Sequence, residues 1–69
     1  MKQIDARGYS CPEPVLMTRA AVQKGLPVSV LVDSMTPVNN ITRFAENSGL
    51  SVRWEQKGSD FELILEEKA

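Results

Sequence analysis

The chain reads as a small α/β protein of the α+β kind: a two-layer sandwich in which two helices pack on one face of a four-stranded mixed sheet, in the order β-α-β-α-β-β. Three observations point there. A β-branched apolar run, Val28-Ser29-Val30-Leu31-Val32, ends at Asp33 and lies between two stretches whose apolar residues recur at helical spacing. Both of those stretches begin at a proline. After them come two alternating segments, Leu50–Glu55 and Phe61–Glu66, joined by Lys57-Gly58-Ser59-Asp60, which reads as a hairpin turn with Gly58 able to take positive φ. At 69 residues, positions 1–69 are expected to form a single domain. A chain this short buries only about 60% of the surface its unfolded form exposes, so a stability of a few kcal/mol is expected.

In chain order, Lys2–Ala6 is a short strand candidate because Ile4 and Ala6 alternate with Gln3 and Asp5. Gly8 ends it. From Pro12 to about Lys24, the apolar residues Val15, Leu16, Ala20, Ala21 and Val22 outline the buried face of an amphipathic helix, with Arg19, Gln23 and Lys24 outside and Met17 assigned to the core. Gly25 and Pro27 close it. Strand, helix, strand then suggests a βαβ unit with parallel pairing of Lys2–Ala6 and Val28–Asp33. The second helix is expected to start at Thr36 as N-cap with Pro37 first in the helix, to bury Val38, Ile41, Phe44 and Ala45, and to close at Ser48-Gly49. Asn39 and Asn40 read as a solvated first turn. Trp54 reads as core or sheet-edge packing, and Glu66–Ala69 as a frayed tail.

The chemistry concentrates at Arg7-Gly8-Tyr9-Ser10-Cys11-Pro12-Glu13-Pro14, which holds the one cysteine. Ser10 and Glu13 have the spacing of a capping box, which makes Cys11 the first helical residue. In the alternative register Cys11 is the cap and Pro12 is first. Either way the sulfur would sit in the first turn, where free N–H groups and the positive end of the helix dipole favour thiolate over thiol. Arg7 would add positive charge, and Glu13 would oppose it. Pro12 and Pro14 stiffen the turn. A lone cysteine is equally at home as a small buried hydrophobe, so the residues alone leave a functional and a packing role in balance.

Several function classes are excluded. The formal net charge is −1, and the Lys/Arg residues form no cluster, which argues against a nucleic-acid footprint. There is no histidine, which removes Cys–His and Ser–His catalysis within the chain. A single cysteine without histidine gives no zinc set and no CxxC redox pair. No phosphate-binding glycine loop is present, and no cofactor is expected. The first residues have no apolar signal core, no run is long enough to cross a membrane, and a lone thiol suits a reducing compartment. A cytoplasmic monomer is therefore expected.

The pattern Asp5-x-Arg7-Gly8-x-x-Cys11-Pro12-x-Pro14, followed by Val15-Leu16 and a helix to Gly25, resembles the TusA-like sulfurtransferases, also labelled SirA-like or YedF-like. The resemblance covers nearly the whole chain. In the second half Val32-Asp33, Asn40, Arg43-Phe44-Ala45 and Gly49 resemble the YedF branch most. It implies the same β-α-β-α-β-β sandwich. It further implies that Cys11, in a turn built by Arg7, Gly8, Ser10, Pro12, Glu13 and Pro14, accepts sulfane sulfur as a persulfide and passes it on. The implied donor is a cysteine desulfurase or another persulfide donor, and the implied acceptor is a further protein on the way to tRNA thiolation or cofactor assembly. The YedF branch is tied to selenium metabolism. Two other readings stand beside it. One is a redox-responsive interaction or regulatory module without enzymatic activity. The other is RNA binding, by likeness of the element order to the C-terminal domain of a bacterial translation initiation factor, against which the charge balance speaks.

Overall fold

A computed structural model describes residues 2–68 of the chain. They form β1 (Lys2–Asp5), α1 (Glu13–Lys24), β2 (Val28–Val32), α2 (Met35–Asn47), β3 (Leu50–Lys57) and β4 (Asp60–Glu67). The strands make one mixed sheet in the order β1-β2-β4-β3. β1 runs parallel to β2, with Ile4 opposite Val30; parallel neighbours need a crossover, and α1 supplies it. β4 lies antiparallel to both β2 and β3, with Leu63 opposite Val30 on one side and Trp54 on the other. The α+β sandwich expected from the pattern is the fold found.

One face of the sheet carries Val28, Val30, Val32, Leu63 and Leu65, which are completely buried against Ala21 of α1 and Val38, Ile41 and Ala45 of α2. The near-continuous apolar run of β2 reflects its position between two neighbouring strands. Its other face is covered too: Ser29 is buried, and its hydroxyl donates to the Glu62 carboxylate at 2.7 Å, which also meets Lys57 Nζ at 2.7 Å. The Lys57 ammonium first, and the Ser29 hydroxyl second, hold the Glu62 carboxyl below its ordinary range.

Several boundaries and faces differ from the sequence reading. On α1 the buried residues are Pro14, Thr18 and Ala21, while Leu16 and Ala20 are exposed. Steps of four and three residues from Pro14 keep one face inward, and Leu16 falls on the opposite side. Thr18 can be buried because its hydroxyl donates to the Pro14 carbonyl at 2.8 Å. Met17 is half-buried against the core, as expected. α2 begins two residues earlier than expected, with Ser34 as N-cap and no side-chain capping bond; Pro37 is then third in the helix, still among the positions whose N–H needs no helical partner. The hairpin turn narrows to Gly58-Ser59, with Gly58 at φ 65°, and Lys57 pairs with Asp60. Glu66 and Glu67 are not frayed: they pair with Ser51 and Leu50. Ala69, the end of the expected tail, lies outside the described residues. Trp54 sits on the edge strand β3, its ring edge-on to Phe61 with centroids 5.7 Å apart. Among the described residues no helix is long and apolar enough to cross a membrane.

Candidate functional site

Because β1, β2 and β3 point the same way, the loops after β1 and β2 and the β3–β4 turn meet at one end of the sheet. The turn 6–12 lies there, and Ala6, Arg7, Gly8 and Cys11 are each met by a different part of the fold. Ala6, nearly fully buried, extends the sheet by one bond, its N–H donating to the Leu31 carbonyl at 2.8 Å. Arg7 then folds back. Its Nε and Nη2 each donate to the Asp5 carboxylate at 2.9 Å, its backbone N–H donates there at 3.1 Å, and Nη1 reaches Asp60 Oδ2 at 3.2 Å. The Arg7 guanidinium, and after it the Arg7 N–H, lower the Asp5 carboxyl from 3.8 to about 2. The same two carboxylates, Asp5 before Asp60, raise the Arg7 guanidinium.

Gly8 takes φ 83°, a left-handed conformation that glycine adopts without steric cost, and its N–H donates to Asp33 Oδ2 at 2.9 Å. The turn then exposes Tyr9 and Ser10 and delivers Cys11, which is exposed and free. The Cys11–Pro12 bond is cis.

The helix start differs from both registers read in the sequence. Pro12 is the N-cap, Glu13 is first in the helix and Pro14 second, so Cys11 precedes the helix instead of opening it. No side-chain cap forms. The Ser10 carbonyl, not its hydroxyl, accepts the Glu13 N–H at 2.9 Å, and the Pro12 carbonyl accepts the Leu16 N–H at 3.1 Å. With Pro12 and Pro14 lacking N–H groups, little of the helix's donor capacity is left for the sulfur. Arg7 is not its positive partner either, since its guanidinium is engaged by Asp5 and Asp60.

The donor comes from elsewhere. Asn40 Nδ2 lies 3.6 Å from Cys11 Sγ, and among the described residues it is the sulfur's one hydrogen-bond donor. Asn40 is half-buried on α2, whereas Asn39 is exposed; reading the pair as a solvated first turn holds for Asn39 alone. Asp33, read as a strand end and as part of the family resemblance, and Asp60, read as part of the hairpin turn, prove to anchor the cysteine turn, a role their local sequence does not indicate. The available signal was topological: both stand at the strand ends where the loops of this fold converge, and polar residues there face the β1–α1 turn.

Nearly the whole length of the chain is similar to known proteins. The family model described as Sulfurtransferase TusA matches residues 2–67. A protein of Methanocaldococcus jannaschii named as a candidate sulfur carrier is 38% identical, over 94% of this chain and 92% of its own. The crystal structure of the SirA-like protein from Desulfitobacterium hafniense superposes with a TM-score of 0.91 at 31% identity, covering 96% of each chain. With its sheet order, its exposed cysteine turn and these relatives, the chain belongs to the TusA family of sulfurtransferases and sulfur carriers.

Proposed function

We propose that the protein carries sulfur as a persulfide on Cys11. The observation that supports this most directly is an exposed cysteine sulfur in a turn held from three elements, with one amide donor aimed at it. In the loading step the Cys11 thiolate attacks the outer sulfur of a donor persulfide. A bond forms between Sγ and that sulfur, the donor's own S–S bond breaks, and the electron pair leaves on the donor thiolate. Delivery is the same exchange in reverse sense: an acceptor thiolate attacks the outer sulfur, and Cys11 departs as thiolate. No net oxidation occurs, and neither step needs histidine, metal or a second cysteine in the chain.

In this reading residues 1–69 work as one carrier domain in a reducing cytoplasm, as a monomer between a cysteine desulfurase and a thiol-bearing acceptor protein. The resemblance of Val32-Asp33, Asn40, Arg43-Phe44-Ala45 and Gly49 to the YedF branch extends the proposal to selenium, which follows the same exchange. Incubation with a cysteine desulfurase, cysteine and pyridoxal phosphate should add the mass of one sulfur atom to the wild type and nothing to Cys11→Ser. A Cys11→Ser chain that still gains sulfur, or that fully complements a deletion strain, would refute the carrier role; the second result would favour a regulatory module.

A further inference from the structure

The donor to the Cys11 sulfur is a neutral side-chain amide from another helix, and this has consequences for both halves of the exchange. A thiol sulfur is a weak acceptor, whereas a thiolate is a charged one, and hydrogen bonds to charged groups are the stronger kind. A fixed donor at 3.6 Å therefore interacts more with Cys11 after it has lost its proton, and with the leaving Sγ as the S–S bond breaks. Once sulfur is attached, Sγ is a neutral, two-coordinate atom and the contact weakens again. The donor thus favours the state at the start of loading and the state at the end of delivery.

We infer that Asn40 is the residue that stabilises charge on Cys11 Sγ during sulfur exchange, with its larger effect on delivery, where Cys11 is the leaving group. The inference rests on the persulfide reading given above. In loading, a stabilised sulfur is also the weaker nucleophile, so the donor helps little; in delivery, stabilisation of the departing thiolate acts without that offset. Placement supports the role. Cys11 lies just before α1, outside the reach of that helix's own ladder, and its neighbours Pro12 and Pro14 bring no N–H. The nearest basic side chain in the turn, Arg7, is occupied by two carboxylates. The packing of α2 beside α1 supplies the amide that the turn lacks, and Asn40 is half-buried there, which restricts its freedom. An asparagine carries the donor without adding a charge that incoming persulfide anions would bind instead.

The test uses Cys11 persulfide prepared without any protein donor, so that it is independent of desulfurase docking. Cys11 is converted to its mixed disulfide with thionitrobenzoate, and hydrosulfide displaces that group to leave Cys11–S–SH. Cyanide then attacks the outer sulfur. The S–S bond breaks with its electron pair on Sγ, thiocyanate carries the sulfur away, and the proton goes to solvent. Thiocyanate release should be about tenfold slower in Asn40→Asp, which keeps the shape and replaces the donor with an acceptor, and several-fold slower in Asn40→Ala. Asn39→Asp places the same charge one residue away and should stay within about twofold of the wild type. The ¹⁵N side-chain signals of Asn40 should shift on persulfidation more than those of Asn39. Equal rates in Asn40→Ala and wild type, or equal slowing by the two Asp variants, would overturn the inference. Failure of the wild type to take sulfur from any desulfurase would instead remove the carrier reading, while leaving the cyanide result standing as chemistry of the Cys11–Asn40 pair.

Discussion

Arg7 Nη1 lies 3.2 Å from Asp60 Oδ2, joining the turn that carries Cys11 to the first residue of β4, fifty-three positions along the chain. Together with the Gly8 N–H on Asp33, 2.9 Å away, it ties that turn to the two central strands. Both anchors are surface contacts, so their weight in global stability is small. Their role is local: they set where the backbone between Ala6 and Pro12 runs, and hence where the sulfur stands relative to Asn40.

Loss of either anchor should loosen the turn and leave the sheet intact. In Arg7→Ala and in Asp33→Ala the amide of Gly8 is expected to exchange with solvent faster, while amides of β2 and β4 keep their protection. Native-state hydrogen exchange measures both in one experiment. If Gly8 exchanges at the wild-type rate in Asp33→Ala, that carboxylate does not hold the turn.

Acid should act on the same anchor. The Asp5 carboxyl is lowered from 3.8 to about 2, chiefly by the Arg7 guanidinium. A carboxyl whose folded value lies below its unfolded one stabilises the fold above the unfolded value, and this contribution disappears as pH falls through the folded one. The Asp5–Arg7 contribution is therefore complete above about pH 4 and fades between 3.8 and about 2. A carboxyl-carbon NMR titration should show Asp5 changing near the lower end of that window, and near its ordinary value in Arg7→Ala. Both partners are exposed, so added salt should narrow the difference.

Thr42 marks a place where the fold is not at its stability optimum. Its hydroxyl oxygen is buried without a hydrogen-bond partner among the described residues. Replacing an unsatisfied hydroxyl by a methyl group of the same shape removes a desolvation cost, so Thr42→Val should raise stability by about 1 kcal/mol. Urea unfolding of the two chains compares them directly. A destabilised Thr42→Val would mean that the hydroxyl finds a partner, a bound water for example.

The fold was legible in the sequence because its elements are strongly patterned: the Val28–Val32 run and the Val38-Ile41-Ala45 face are buried as their periods indicate, and so are Leu63 and Leu65 of the hairpin, whereas Trp54 on the edge strand stays 44% exposed. The cysteine was legible too, because glycine and proline punctuate its turn. What could not be read was the partner of the sulfur. Asn40 is twenty-nine positions from Cys11, and nothing in local spacing links them; only the packing of α2 beside α1 does. The expected Ser10–Glu13 capping box failed for a local reason, since the backbone carbonyl of Ser10 takes the Glu13 N–H that the hydroxyl would have taken. Arg7 was expected to face the sulfur, but two carboxylates, one of them remote in sequence, compete for it more closely.

The rotation of α1 gives the sharpest stability contrast. Apolar character alone places Leu16 in the core, whereas the helix turns it outward to 48% exposure, and Ile41 on α2 is completely buried. Truncating a buried isoleucine removes its transfer free energy and leaves a cavity, so Ile41→Ala should cost about 2–5 kcal/mol, enough to unfold most of a domain of this size. Ile41→Val, which deletes a single methylene, should cost about 0.5–1.5 kcal/mol and keep the protein folded for measurement. Leu16→Ala should change stability by no more than about 0.5 kcal/mol, because little apolar contact is lost on the solvent side and alanine is the better helix former. Urea unfolding of Ile41→Val and Leu16→Ala sets the two positions side by side. A cost at Leu16 as large as that at Ile41 would place Leu16 against the sheet and require α1 to be turned by nearly half a revolution, moving Thr18 and Ala21 out of the core.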